Sequence, residues 1–408
     1  MQTNITKQFL NTTQGQEAND ILRSCVHCGF CIATCPTYQL LGNELDSPRG
    51  RIYLIKQILE GCTVTEKTQT HLDRCLTCRA CETTCPSGVQ YGRLIDIGRE
   101  LIEEQVPRSL FNRLQRFALR KILPYPQRFS LLLKTGQAFK PFMPVAIKQK
   151  IPTTQKTKPW PEKNQTATRK MLVLEGCAQS IATANTNRAS ASILNKLGIQ
   201  LIADKKAGCC GAVSHHLSAQ QEALNFMRNN IDAWWPYIEQ GIEAIVITAS
   251  GCGVIVKEYA DLLKHDTQYA NKARRVSELA KDISEILTTE TLPLERIKPA
   301  IKNIAFHSPC TLQHGQKLDG VVEAILKCCG FELANIEDAH LCCGSAGTYS
   351  ILQADLSQQL LNNKLGALQK NSTELIVTAN VGCQLHMQTK ADMPVKHWVE
   401  LLDESFIL

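Results

Sequence analysis

CVHCGFCIATCP at residues 25–36 and CLTCRACETTCP at residues 75–86 are one pattern written twice, fifty residues apart at every cysteine. Cys25, Cys28 and Cys31 keep x2 spacing, and x3 then separates Cys31 from Cys35-Pro36. Cys75, Cys78, Cys81 and Cys85-Pro86 repeat it. Three thiolates at x2 spacing wrap three corners of a cubane on one tight loop, while the fourth, turned away by proline, reaches the other cubane. The spacing predicts one [4Fe–4S] cluster on Cys25, Cys28, Cys31 and Cys85. It predicts a second on Cys75, Cys78, Cys81 and Cys35. Structural zinc sites take two separated cysteine pairs per metal rather than three thiolates in series.

The forty residues from Cys35 to Cys75 read as helical. Ser47-Pro48 is an N-cap followed by a first helical position, Ile52, Ile55, Ile58 and Leu59 recur at helical spacing, and Gly61 closes the run. A second helix is expected from about Tyr91 to Glu104. Residues 1–104 therefore form an N-terminal α-helical domain, of the kind that resembles the electron-transfer end of succinate dehydrogenase iron–sulfur subunits, hence ferredoxin-like. At 408 residues the chain is expected to be multidomain. Its 19 cysteines, with a polar Met1–Asn19 and no leader-like apolar core, predict a reducing compartment. The localisation expected is cytoplasmic, with peripheral placement on the cytoplasmic face of the inner membrane as an extension. No run of about 18 apolar residues calls for a membrane span.

Residues 105–169 are a basic connector. Between Gln105 and Pro161 there are twelve lysines and arginines and no acidic residue, so the rest of the chain, whose total charge is +7, is net acidic. Leu110, Phe111, Leu114 and Phe117 beside Arg113, Arg116, Arg120 and Lys121 predict an amphipathic helix over 108–133. Such a helix suits an acidic face of a partner or an anionic lipid surface. The prolines at 141, 144, 152, 159 and 161 predict an extended linker from Lys140 to Thr168.

Residues 170–290 and 291–408 are two copies of one unit. Met171–Leu174 leads into Gly176-Cys177, as Ile304–Phe306 leads into His307-Ser308-Pro309-Cys310. Each is followed by a helical pattern ended by Gly198 or Gly330 and a short strand. Cys209-Cys210-Gly211 then matches Cys342-Cys343-Gly344. The strands of residues 244–249 and 374–379 end at Gly251-Cys252 and Gly382-Cys383. Alternating strands and helices imply a duplicated α/β domain with parallel sheets, the cysteines lying just beyond strand C-termini where such sheets place ligands. Each copy thus offers four thiols: Cys177, Cys209, Cys210 and Cys252, then Cys310, Cys342, Cys343 and Cys383. Cys62 and the pair Cys328-Cys329 fall outside the pattern and read as small buried hydrophobes. His27, His71, His307 and His314 read as orienting or packing groups.

The second half resembles the cysteine-rich "CCG" repeats of heterodisulfide reductase, in which two such repeats hold non-cubane clusters with help from a terminal C-x-x-C. Here Cys252 is followed by Gly253-Val254-Ile255 and Cys383 by Gln384-Leu385-His386, leaving four cysteines per repeat and His386 as a substitute ligand in the second. A cubane-like cluster, a zinc site and a metal-free scaffold all stay open. No glycine fingerprint for a dinucleotide and no P-loop occurs. The chain is expected to carry electrons while partners supply the two-electron cofactor, with no nucleic acid involved.

The segments CVHCGFCIATCPTYQLLGNELDSPRGRIYLIKQ from Cys25, HLDRCLTCRACETTCPSG from His71, NNIDAWWP from Asn229 and LCCGSAGTY from Leu341 resemble the iron–sulfur subunits of bacterial glycolate oxidases (glycolate dehydrogenases). That resemblance implies FAD-containing partner subunits that oxidise glycolate to glyoxylate, and electron passage through two 4Fe-4S clusters to quinone or another acceptor. It implies no catalytic residue on this chain. Related subunits serve lactate or glycerol-3-phosphate dehydrogenases, and a thiol/disulfide enzyme of the heterodisulfide-reductase kind is the alternative from another class.

Overall fold

A computed structural model describes the whole chain except residues 145–147, 149–150, 153–154, 163–166 and 408. Packing divides it into two units. One is Met1–Phe117 with His340–Lys364, and the other is Ala118–Ala339 with Leu365–Leu408.

The first unit is helical. Its main helices are Thr13–Ser24, Pro48–Leu59, Glu66–Asp73 and Tyr91–Gln105. The Pro48–Leu59 helix starts where the sequence places it, with Ser47 Oγ accepting from Gly50 N at 3.0 Å and Pro48 filling a position that needs no N–H donor. Leu22, Ile55, Ile58, Leu59, Leu72 and Leu94 meet in one core and are 0–1% exposed. Each such side chain contributes roughly 1.5–3 kcal/mol on leaving water. Gly98 lets the Tyr91–Gln105 helix lie against Pro48–Leu59, since a Cβ there would come within 2.6 Å of Ile55 Cγ1.

The second unit holds the duplication as two four-stranded parallel sheets. In the first, β1 (Arg169–Val173), β2 (Ile199–Ala203), β3 (Ile245–Ile247) and β4 (Ala280–Asp282) run in the order β2-β1-β3-β4. In the second, β5 (Asn303–His307), β6 (Glu332–Leu333), β7 (Leu375–Thr378) and β8 (Val395–His397) repeat that order as β6-β5-β7-β8. Equivalent registers pair Leu172 with Ile245 and Ile304 with Leu375. Strand alternation sorts the side chains. Met171 and Val173 join Ile304 and Phe306 in a core shared by both repeats, while Leu172 and Leu174 join Trp234 and Tyr259 in another.

The connector departs from its expectation of one helix. It forms two, Leu110–Ile122 and Pro126–Phe139, because Pro124 and Pro126 interrupt the hydrogen-bond ladder and Pro126 begins the second helix. Part of the expected extended linker, including Lys150, lies outside the described residues. Among the described residues no helix is long and apolar enough to cross a membrane.

Candidate iron–sulfur and thiol sites

The two cysteine loops share a backbone as well as a spacing. In the first, His27 (φ 57°) and Gly29 (φ 88°) are left-handed. In the second, Thr77 (φ 53°) and Arg79 (φ 61°) are left-handed at the same positions. Three of the four are not glycine, and each such residue costs of order 1–2 kcal/mol. The strain curls each loop inward. The final cysteine of the first run, Cys35, is the N-cap of the Pro36–Leu41 helix, so its thiol leaves the loop as the proline predicts.

The thiols gather in two recesses. One, of about 440 Å³, is lined by Cys25, Cys28, Cys31 and Cys85, with Cys81 and apolar Phe30 and Ile52 on its wall. The other, of about 300 Å³, is lined by Cys35, Cys75, Cys78 and Cys81, with Arg51 and Tyr91. Electrostatics draw the same partition. Burial pushes the Cys31 thiol up to about 11, and Cys25, Cys85 and Cys28 add to the rise. Burial pushes Cys81 up as well, followed by Cys78, Cys75 and Cys35. Each quartet, crossed between the runs, therefore holds thiols that cannot share negative charge without a cation among them. That is the donor chemistry an iron–sulfur cluster satisfies.

Around the second recess stands a polar frame. Cys75 Sγ accepts from Thr77 N at 3.3 Å and from the Tyr91 hydroxyl at 3.6 Å. Thr37 Oγ1 lies 3.3 Å from Cys35 Sγ and accepts from Arg51 Nη2 at 3.1 Å. Arg51 is 1% exposed and lies 3.6 Å from the fully buried carboxylate of Asp46, which also receives His71 Nδ1 and Arg74 Nη1 at 3.0 Å each. Burial works against the Arg51 charge, but Tyr91, Cys75, Cys35 and Asp46 together raise its pKa. Arg99 donates to the carbonyls of Leu72 (3.0 Å) and Cys75 (2.6 Å) and to Thr77 Oγ1 (2.9 Å). His71 is thus an orienting group, as its sequence reading holds.

Sequence reasoning missed Arg51, Asp46, Tyr91 and Arg99. It also missed Tyr349. This residue belongs to the 340–364 segment of the same unit, and its hydroxyl donates to Arg74 O at 3.2 Å. Burial first, then Cys75 and Cys342, push its phenol up against the opposing pull of Arg51 and Arg99.

In the second unit the structure brings the first repeat's four thiols into one chain of contacts. Cys209 meets Cys177 and Cys210, and Cys210 meets Cys252. Hydrogen bonds from Cys209 and Cys252 hold the Cys210 thiol well below its usual value, and the Ala212 amide adds to this. The contact with Cys177 raises Cys209, and the contact with Cys210 raises Cys252. The turn is fastened from below. Asn230, fully buried, accepts from Gly208 N at 2.8 Å and donates to Cys209 O at 2.9 Å and to Tyr259 Oη at 3.1 Å. Tyr259 in turn donates to Cys210 O at 2.9 Å. Gly211 (φ 95°) turns its amide to Cys209 Sγ at 3.4 Å, and Gly344 (φ 86°) does the same to Cys342 Sγ at 3.4 Å.

The second repeat's cysteines are split between the units. Cys342 and Cys343 fall in the first and Cys310 and Cys383 in the second. Cys383 Sγ accepts from Asn380 Nδ2 at 3.4 Å. A His307 ring nitrogen lies within 4.8 Å of it. Cys62 and Cys328 are exposed, which corrects their reading as buried hydrophobes. Cys329 alone packs in the core.

These features define an iron–sulfur protein with a duplicated cysteine-rich half. Residues 21–89 match the 4Fe-4S dicluster domain, and residues 171–257 and 304–388 each match the Cysteine-rich domain. Over 407 residues the chain is 54% identical to the glycolate oxidase iron-sulfur subunit of Escherichia coli (strain K12), covering 99% of both chains. It is 29% identical over 412 residues to the probable glycolate oxidase iron-sulfur subunit of Bacillus subtilis (strain 168), covering 94% of this chain and 92% of that one. A crystal structure of a hypothetical protein from Helicobacter pylori shares the fold at a TM-score of 0.52 and 9% identity, covering 98% of this chain and 74% of that chain. The chain belongs to the glycolate oxidase iron–sulfur subunit family, and its role is electron transfer.

Proposed function

We propose that this chain relays single electrons for a glycolate-oxidising complex. FAD-bearing partner subunits take the hydride from glycolate to give glyoxylate, and the electrons leave through two [4Fe–4S] clusters on this chain to quinone or another acceptor. Cys25, Cys28, Cys31 and Cys85 hold one cluster, and Cys75, Cys78, Cys81 and Cys35 hold the other. The observation that carries this reading is the crossed grouping of the eight thiols in two recesses. A bound cluster supplies one-electron chemistry with no bond made or broken. The chain's own residues supply thiolates, limit water and fix the charge around each quartet.

On this reading residues 1–104 work as the helical ferredoxin-like domain and 105–169 as the connector. Residues 170–290 and 291–408 are the CCG repeats. Cys177, Cys209, Cys210 and Cys252, with Cys310, Cys342, Cys343 and Cys383, are the candidate ligands of a further metal or cluster. We place the protein in the cytoplasm, in peripheral contact with the inner membrane. What supports that contact is the apolar stripe of Leu110, Phe111, Leu114 and Phe117, all at least half exposed. Charge supports it less. Arg108 and Arg116 are spent on Asp73, and Arg120 and Lys121 on Glu222.

The test is Cys28→Ser or Cys78→Ser in the assembled complex. Either change should abolish electron transfer to the acceptor while glycolate still reduces the partner's flavin. Loss of flavin reduction as well would overturn the division of roles.

A further inference from the structure

We propose that the two clusters are unequal, that the quartet Cys35, Cys75, Cys78 and Cys81 holds the one of higher potential, and that electrons run to it from the quartet Cys25, Cys28, Cys31 and Cys85. This rests on the two-cluster reading above. Each transfer moves one electron: the first cluster, reduced by the partner's flavin, is oxidised by one and the second is reduced by one. No proton or bond moves.

The argument is one of charge. Reduction adds a negative charge to a cluster and its thiolates, so fixed cations and hydrogen-bond donors beside the sulfurs favour the reduced state. Arg51, Arg74 and Arg99 surround the Cys35–Cys75 side of the second recess, and Asp46 is the carboxylate set among them. Arg79 also lines this recess, with Glu82 beside it, so four guanidinium groups stand against two carboxylates. Arg51 and Arg99 are buried, at 1% and 9% exposure, so water and salt screen them little. The Tyr91 hydroxyl and the Thr77 amide both point their hydrogens at Cys75 Sγ.

The first recess is different. Its wall includes Val26, Phe30, Ile52 and Val89. Cys28 is exposed, and Val26 and Phe30 are 67% and 62% exposed. The side-chain cations nearest it are exposed or already paired, Arg49 with Glu44 at 2.8 Å and Lys56 with Glu60 at 3.3 Å. The Met1 ammonium, bonded to the Cys25 carbonyl, is a further positive group among the described residues. Water at the first recess also favours reduction there. It does so as a mobile dielectric, whereas the buried guanidinium groups of the second act at short range as fixed charge. Tyr91 borders both recesses, but its hydroxyl is spent on Cys75.

The experiment is an EPR-monitored redox titration of the full-length, anaerobically purified holoprotein and three variants. Wild type should show two one-electron steps. Tyr91→Phe should lower the upper step and leave the lower in place. Arg51→Gln should lower the upper step further, by about tenfold in the reduction equilibrium or roughly 59 mV for one electron. Arg51→Lys, which keeps the charge, should restore most of it. If the lower step moves instead, or if Tyr91→Phe moves neither, the assignment is overturned. Tyr91→Phe decides the matter alone should Arg51→Gln fail to fold. Absence of any reducible cubane in wild type would instead remove the two-cluster reading, and the inference with it.

Discussion

Asn230→Ala should destabilise the second unit by about 3 kcal/mol, far more than the same change one residue earlier. The Asn230 side chain is fully buried and makes three hydrogen bonds, to Gly208 N, Cys209 O and Tyr259 Oη. Alanine strands the buried Cys209 carbonyl and leaves the half-buried Gly208 amide without its acceptor. Each stranded buried group costs about 1–3 kcal/mol, and the hydroxyl loses one donor. Asn229 is the control. It is exposed and makes one bond, to Lys206 O at 2.9 Å, so Asn229→Ala should stay within about 0.5 kcal/mol. The four tryptophans, Trp160, Trp234, Trp235 and Trp398, all belong to the second unit, so their fluorescence in urea reports its unfolding. With an urea slope of about 2 kcal/mol per molar, the expected midpoint shift is roughly 1.5 M. Thiol labelling of Cys209 and Cys210 should quicken in parallel. Equal midpoints for the two alanine variants would show that Asn230 does not fasten the cysteine turn.

Asp282 and His397 cap the helices after β4 and β8, at equivalent places in the two repeats, and they titrate in opposite senses. Burial pushes the Asp282 carboxyl up to about 6, so its contribution is present at low pH and lost as pH rises from about 4 through 6. Burial pushes His397 down to about 4, so its contribution is lost as pH falls from about 6.5 through 4. The two offset in wild type, each worth about 3 kcal/mol. The Asp282→Asn protein should therefore gain stability between pH 4 and 6.5 and His397→Asn should lose it, read as urea midpoints; parallel profiles would refute this. Asp46→Asn leaves Arg51 buried without its carboxylate and should cost roughly 3–5 kcal/mol, seen as earlier thermal loss of iron–sulfur absorbance. A retained melting point would mean that buried Arg51 does not need the Asp46 carboxylate. Leu110→Ser with Phe111→Ser and Leu114→Ser should abolish flotation with anionic vesicles, whereas unchanged flotation would end the membrane proposal.

The parts of this molecule that were legible in its sequence are those with a local cause. Cysteine spacing, the Ser47-Pro48 cap, and the apolar run from Met171 to Leu174 each act within a few residues. What escaped is what depends on distant partners or on too few residues. β4 and β8 are three residues each, too short for a period, and are strands because β3 and β7 offer an edge. Nothing within a few residues of Arg51 marks it as buried. It is buried because Asp46 and the His71 carbonyl receive it. Tyr349 reaches Arg74 across 275 residues of chain, a pairing no window of sequence contains. The connector was half legible: its apolar stripe was visible, but the acidic residues that absorb its arginines, Asp73 and Glu222, lie outside it.

The two CCG turns separate what the motif itself sets from what its surroundings set. Both glycines are left-handed and both turn their amides to the first cysteine of the pair at the same 3.4 Å. The surroundings differ. The first repeat closes largely on sulfur, with Cys210 as the acidic member, Cys209 and Cys252 donating to it and the Ala212 amide adding to this. The second has an imidazole, His307, near Cys383, and an amide from Asn380 on its thiol. A quartet satisfied by protons must release them to take up a metal, so metal affinity at the first repeat should rise with pH and uptake should acidify a weakly buffered solution. Duplication thus produced two turns with one backbone and different neighbours, and proton release on metal addition tells a loaded quartet from a structural one.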